Sequence, residues 1–264
     1  MKGFTLGEEC RHGLANGVCD ACFPKARPEA PLVAPSTRAS RARTATLSRK
    51  AAGEAPEVDL EAQRVYHITH LDNLAAILER GAVLSDSAGA APAVDISTEH
   101  ARVTRRMITV DDDGDAVADF VPLFLSPQST AWASVRSGAT DPRLKIAATA
   151  TEFVVLVASV KSVSEAATES KVVIADRDAA HPLARFATAH DASNRMLRKL
   201  NSEVDQSGIV EAEVLVLEAV PFEAFSVITV ANDRARNAVK ELLRGSSFSP
   251  RVAIHPPWFA AETE

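Results

Sequence analysis

The stretch TEFVVLVASV, Thr151–Val160, constrains the fold more than any other part of the chain. From Phe153 to Val160 no charged residue interrupts it, and both alternate faces of an extended segment there are apolar. A strand on a half-solvated sheet alternates polar with apolar residues. One that is apolar on both faces must be covered from both sides. The chain therefore needs a sheet with helices or further sheet packed against it. Other segments supply the neighbours: RVYHIT, DFVPLFLS, KVVIAD, IVEAEVLVLEAV and FSVITVAN read as strands, and helical periods occupy LDNLAAILER, STEHARVTRRMI, STAWASV, NRMLRKLNSEV and DRARNAVKELLRG. Thr69 with Asp72 has the spacing of a capping box opening the first of these helices, which has Leu74, Ile77 and Leu78 on its apolar face and Gly81 as its stop. Strands and helices spread along the whole length make an α+β fold. No glycine-rich strand-to-helix turn of the dinucleotide-binding type and no internal repeat is present.

The 46% hydrophobic content of 264 residues is enough for a large core, yet no run of about 18 apolar residues could span a bilayer. The amino terminus MKGFTLGEECRHG has no apolar signal core, so a cytoplasmic protein without a membrane partner is expected. The net charge of −6 is unevenly distributed. Between Lys25 and Lys50, seven Lys or Arg accompany a single acidic residue, a balance of +6 that leaves −12 for the rest. All three cysteines fall in CRHGLANGVCDAC, as Cys10, Cys19 and Cys22, with His12 between them. Three thiolates and one imidazole complete a tetrahedral Zn²⁺ shell, so a small zinc-knuckle-like module with structural Zn is expected, the alternative being clustered reduced thiols. Three regions follow: a zinc-binding module over 1–24, a basic Pro-, Ala- and Ser-rich linker over 25–58, and a main domain over 59–264. The linker's cations suit either a phosphate backbone or a simple solubilising tether.

Two features of the main domain invite chemistry. In IVEAEVLVLEAV the period of two sets Glu211, Glu213, Leu215 and Leu217 on one face and Ala212, Val214 and Val216 on the other. Glu211 and Glu213 either solvate the entrance of the strand or face a cleft, where desolvation would turn a carboxylate into a base usable near neutral pH. His67 and His70 lie where a strand turns into a helix. Their spacing is not that of a metalloprotease helix, which leaves a core or pocket-wall role ahead of metal binding.

Three stretches, VYHITHLDNLAAILERG, VPLFLSPQS and EAEVLV, resemble in order and separation the signatures of the DarT family, DNA ADP-ribosyltransferase toxins that use NAD⁺ to modify bases in single-stranded DNA. The resemblance runs from Val65 to about Asn232. It implies an ADP-ribosyltransferase-like split β-sheet core with flanking helices and NAD⁺, as co-substrate, in the cleft. It further implies that His67, Ile68 and Thr69 line the nicotinamide and its ribose, that Ala76 and Leu84 flank the dinucleotide, and that the catalytic glutamate is Glu213. On this reading Glu211 is a solvated neighbour and His70 a helix-start residue. The family's essential arginine falls in TRRM, where Arg105 is favoured for catalysis and cofactor binding and Arg106 stands as its alternative.

The expected activity is transfer of ADP-ribose to a base, thymidine foremost, in single-stranded DNA with release of nicotinamide, in a toxin or defence effector whose partner is a macrodomain antitoxin. The chain departs from the family where PLFLSPQSTA replaces the usual PFYFxPRSPM, with Gln128 at the position of an arginine and Thr130-Ala131 at that of Pro-Met. This leaves open a catalytically lost nucleic-acid binder, or a transferase acting on RNA or protein. Before the catalytic strand, Arg185, Arg195, Arg198 and Lys199 either meet phosphates or form a solvated helix face.

Overall fold

The computed structural model describes residues 61–137, 149–167, 170–202 and 207–261. The expected zinc module and basic linker lie outside the described residues. The main domain is built on an eight-stranded sheet. Its strands are β1 (Arg64–His70), β3 (Phe120–Phe124), β4 (Phe153–Ser159), β5 (Val172–Ala175), β6 (Phe186–Ala187), β7 (Glu213–Leu217), β9 (Val227–Val230) and β10 (Arg251–Ile254), in the order β10-β9-β4-β1-β3-β7-β5-β6. A separate ribbon pairs β2 (Ala82–Leu84) with β8 (Ala219–Pro221). All pairings are antiparallel except that of β9 with β10. Among the described residues the α-helices are α1 (Leu71–Arg80), α2 (Glu99–Met107), α3 (Thr130–Arg136), α4 (Val160–Ala166), α5 (His190–Ser202), α6 (Ser207–Glu211) and α7 (Asp233–Arg244). Among the described residues no helix is long and apolar enough to cross a membrane.

Strand β4 takes the interior place its sequence demands. Phe153 to Ala158 are all buried, with Val154, Leu156 and Ala158 in one apolar cluster and Phe153, Val155 and Val157 in another across the sheet. The sheet itself is divided. Strand β1 pairs with β4 along its whole length, from Arg64 opposite Ser159 to His70 opposite Phe153, whereas it meets β3 at one position only, Tyr66 opposite Phe124. Beyond that rung the two halves part. Strand β3 in turn pairs fully with β7, from Phe120 opposite Leu217 to Phe124 opposite Glu213. The same rung continues to Ala175 in β5. Glu213 thus sits on the rung that joins the halves.

Local chemistry explains the turn from β1 into α1, and corrects one expectation. The cap of α1 is His70, whose Nδ1 accepts the N–H of Asp72 at 3.2 Å, and Thr69 remains in the strand. The Thr69 hydroxyl instead accepts from the Asn73 amide, 3.1 Å away. Gly81 ends the helix as expected, in the left-handed conformation (φ 72°) that a glycine enters without a Cβ penalty. A second correction concerns the strand containing the glutamates. Strand β7 begins at Glu213, because Ser207–Glu211 close a short helix, so Glu211 is not in the sheet at all.

Candidate active site

A cavity of about 670 Å³ opens where the sheet divides. That volume suits a dinucleotide-sized ligand. All the residues singled out as cofactor-binding or catalytic line it: His67, Ile68 and Thr69 from β1, Ala76 from α1, Leu84 from β2, Arg105 from α2 and Glu213 from β7. His70 lines it as well, beside its role as helix cap.

Helix α2 opens at Thr98, whose hydroxyl accepts the Ala101 N–H, and its last turn presents two arginines in different directions. Arg102 and Arg106, four residues apart and hence on one face, both reach Asp86. Arg105 is rotated by one residue and points to Glu213, with Nη2 at 2.7 and 2.8 Å from the two carboxylate oxygens. The helical phase therefore separates the two candidates that adjacency in TRRM left open. Arg105 is the one brought to the carboxylate, while the Arg106 side chain stays largely exposed.

Glu213 retains 2% of its surface. Leu215, two residues along the same face of β7, packs with Val173, Ala175 and Phe120, so the carboxylate rises from an apolar floor. Such burial raises its proton affinity, Arg105 opposes the rise, Asp178 adds to it, and the Ala179 backbone N–H opposes it by donating to the carboxylate. Burial likewise disfavours charge on Arg105, but Glu213 and Asp178 more than compensate and hold it protonated. The guanidinium still has an unmet donor. Its Nη1 is buried and has no hydrogen-bond partner. An unpaired buried donor is costly, and here it lies on a side chain lining the cavity, where a ligand oxygen could satisfy it.

His67 spans the division of the sheet, with Nδ1 3.3 Å from the carbonyl oxygen of Pro122 in β3. Burial pushes its pKa down to about 4, against the opposing pull of that carbonyl. The ring is neutral at pH 7. With Nδ1–H donating to Pro122, Nε2 remains as an acceptor.

Several contributors escaped sequence reasoning. Asn73 is buried and grips the backbone of Val94 from both sides, donating to its carbonyl at 2.7 Å and accepting from its N–H at 3.0 Å. Arg102 ties the same cavity wall to α2 through Asp95, at 2.8 Å from Nε. These bonds shape the wall formed by residues 85–98. Asp178 contributes a second carboxylate, 3.3 Å from Nη2 of Arg105. A polar residue three positions after a strand carries no sequence signal for that contact. Asn73, by contrast, could have been suspected as an amide directly after a helix start in an otherwise apolar period. Of the departures from the family pattern, Ala131 lines the cavity whereas Gln128 is exposed and outside it.

A second cavity, of about 590 Å³, lies on the other side of the β5–β6 connection. Arg177, Arg185, Arg195 and Lys199 line it, but Arg198 does not. Among the described residues no group of three or more His, Cys, Asp or Glu could hold a metal ion, and the cysteine-rich stretch proposed for Zn lies outside them.

Residues 66–260 match the family described as ssDNA thymidine ADP-ribosyltransferase, DarT. A DNA ADP-ribosyl transferase of Thermus sp. (strain 2.9) is 27% identical over 208 residues, covering 74% of this chain and 95% of that protein. Among solved structures, Thermus sp. 2.9 DarT in complex with ADP-ribosylated ssDNA superposes with a TM-score of 0.65 at 25% identity, over 75% of this chain and 97% of the other. Thermus sp. 2.9 DarT in complex with NAD⁺ shares the fold, with a TM-score of 0.63 at 24% identity over 75% and 98% of the two chains.

Proposed function

The chain belongs to the DarT family of single-stranded-DNA thymidine ADP-ribosyltransferases, and from that membership we propose that it transfers ADP-ribose from NAD⁺ to a thymine base in single-stranded DNA, releasing nicotinamide. The observation that carries this reading is the buried Glu213 carboxylate, clamped by Arg105 in a cavity bordered by His67, Ile68 and Thr69. NAD⁺ supplies an electrophilic ribose carbon once its bond to nicotinamide weakens. The cavity fits such a donor: its volume is adequate, Arg105 Nη1 lacks a partner, and the neutral His67 and the Thr69 segment offer polar groups along one wall.

Glu213 has two tasks in this reaction. As the nicotinamide bond breaks, its negative charge, held in a desolvated site, stabilises the positive charge developing on the ribose. It then accepts the proton that leaves the thymine ring nitrogen as that nitrogen bonds to the ribose carbon. A carboxylate whose proton affinity is raised by burial is a better base than an exposed one. Arg105 fixes its orientation and offers Nη1 to a donor phosphate or an acceptor carbonyl oxygen. Asn73 holds the cavity wall that faces the dinucleotide. A base stacked inside a duplex cannot enter such a cavity, so single-stranded DNA is the acceptor.

Cys10, His12, Cys19 and Cys22 form a structural Zn²⁺ site in a module over 1–24, joined by the basic linker 25–58 to the transferase domain 59–264. Metal analysis of the full chain should then find about one Zn²⁺ per molecule, lost on Cys19→Ser. The activity is that of a cytoplasmic toxin or defence effector, with a macrodomain antitoxin that removes the mark.

The deciding experiment offers labelled NAD⁺ together with single-stranded DNA, RNA or protein. Label on a thymine-containing oligonucleotide and free nicotinamide are expected. Glu213→Gln should lower the transfer rate by about 10²- to 10⁴-fold with an unchanged melting profile. Full activity in that variant would remove the carboxylate from its role. Label on RNA or protein alone would reassign the acceptor, and an absence of nicotinamide release would leave a binding protein.

A further inference from the structure

The β5–β6 connection, residues 176–185, divides two cavities. Asp178, Ala180, His181 and Pro182 face the first, whereas Asp176, Arg177 and Arg185 face the second. The opposite wall of the second cavity is α5. There Arg195 and Lys199, four residues apart and so on one helical face, stand over Met196, while Leu197 and Leu200 anchor the helix in the core. The carboxyl side is closed by Gly208 and by Glu211, two residues before Glu213.

The lining of this cavity carries more positive than negative charge. Four cations, Arg177, Arg185, Arg195 and Lys199, face two carboxylates, Asp176 and Glu211, a surplus of two positive charges. Asp176 is already engaged, accepting from Arg177 Nε at 3.2 Å and from the Arg185 backbone N–H at 3.0 Å. Among the described residues, the side chains of Arg185, Arg195 and Lys199 make no ion pair or hydrogen bond. All three are exposed. In a chain with a net charge of −6, an unpaired cationic cluster around a concavity is an anion-binding surface in search of a polyanion.

Resting on the function proposed above, we infer that this second cavity grips the sugar-phosphate backbone of the nucleotides flanking the target base. A base that enters the first cavity leaves its backbone outside, beside the connection that both cavities share. Arg185, Arg195 and Lys199 then meet consecutive phosphates, and Phe186 with Met196 gives a neighbouring base an apolar surface. Contacts of this kind carry no sequence information. They set affinity and its salt dependence.

The test is binding of a fluorescent thymine-containing oligonucleotide to the full chain, by anisotropy over a series of salt concentrations, with the doubly substituted Arg195→Gln, Lys199→Gln protein in parallel. The basic tether is common to both proteins and cancels in the comparison. Loss of two phosphate contacts should lower the slope of log affinity against log salt by about 1.4, from the single-strand coefficient of about 0.7 per contact. Equal slopes and equal affinities in the two proteins would overturn the inference. With the unsubstituted protein, replacing the phosphates that flank the target thymine by neutral methylphosphonates should weaken binding to the same extent. Binding indifferent to that change would equally reject the groove. Because binding and transfer are read separately, an oligonucleotide that binds through these residues but is never modified would sink the proposed function and leave the groove standing.

Discussion

The two cavities on either side of residues 176–185 use charge in opposite ways. In the first, Glu213 is buried and Arg105 partly buried, the two are paired at 2.7 and 2.8 Å, and they are held by Asp178 and the Ala179 N–H. In the second, Arg185, Arg195 and Lys199 are solvated and unpaired among the described residues. Desolvated charges act strongly over short distances and feel little salt, whereas exposed ones are screened beyond a Debye length of roughly 8 Å at physiological ionic strength. Chemistry on one bond needs the former. Holding a flexible polymer whose phosphates slide past needs the latter. Salt should therefore weaken the grip on DNA while leaving hydrolysis of NAD⁺ in the absence of DNA little changed, and equal sensitivity of both would break the distinction.

Within the first cavity, the sharpest test of preorganisation is the arginine. Arg105→Lys keeps the charge but loses the planar fork that meets Glu213 while leaving Nη1 free for a ligand. Its kcat/KM for transfer should fall by about 100-fold, the scale of losing one preorganised charge donor. Arg106→Lys should stay within about twofold, because that side chain is exposed and its partner is Asp86. Equal losses in the two variants would mean that helical phase does not select the functional arginine.

How much of this was legible without coordinates follows from the range of each interaction. The doubly apolar run of β4, the strand at Val65–Thr69 and the Gly81 stop were readable because they depend on neighbours within a few residues. Strands β2 and β6, of three and two residues, are too short for a period of two to declare itself. Glu211 looked like part of β7 because its spacing from Glu213 continues the alternation, but the chain turns helical at Ser207–Glu211 and the alternation there is accidental. The choice between Arg105 and Arg106 required the phase of α2 relative to β7, a partner more than 100 positions away along the chain. Periodicity fixes which face a residue occupies, but not what lies opposite that face. For the same reason the division of the sheet could come only from resemblance. It depends on β1 and β3 sharing one rung, and no segment of sequence records that.

A modest change in rate is the most discriminating about how Glu213 is tuned. Asp178 is a positioning residue: it shares Arg105 Nη2 with Glu213, and its negative charge raises the proton affinity of that carboxyl. Because Asp178 is 62% exposed in its side chain, solvent weakens its influence, and Asp178→Asn should alter the rate at neutral pH by no more than about fivefold. The pH profile carries the information. In the proposed reaction Glu213 must be ionised to stabilise positive charge and take a proton, so activity is expected to rise with pH through its pKa, which burial holds above the ordinary carboxylate range. Removing the Asp178 charge makes ionisation of Glu213 easier and leaves Arg105 wholly to it. The rising limb of kcat/KM should therefore move to lower pH. The neutral His67 cannot produce that shift, since its pKa of about 4 arises from its own burial and from Pro122. A limb that stays in place, or moves to higher pH, would mean that Asp178 supports only the shape of the connection and not the acidity of the base.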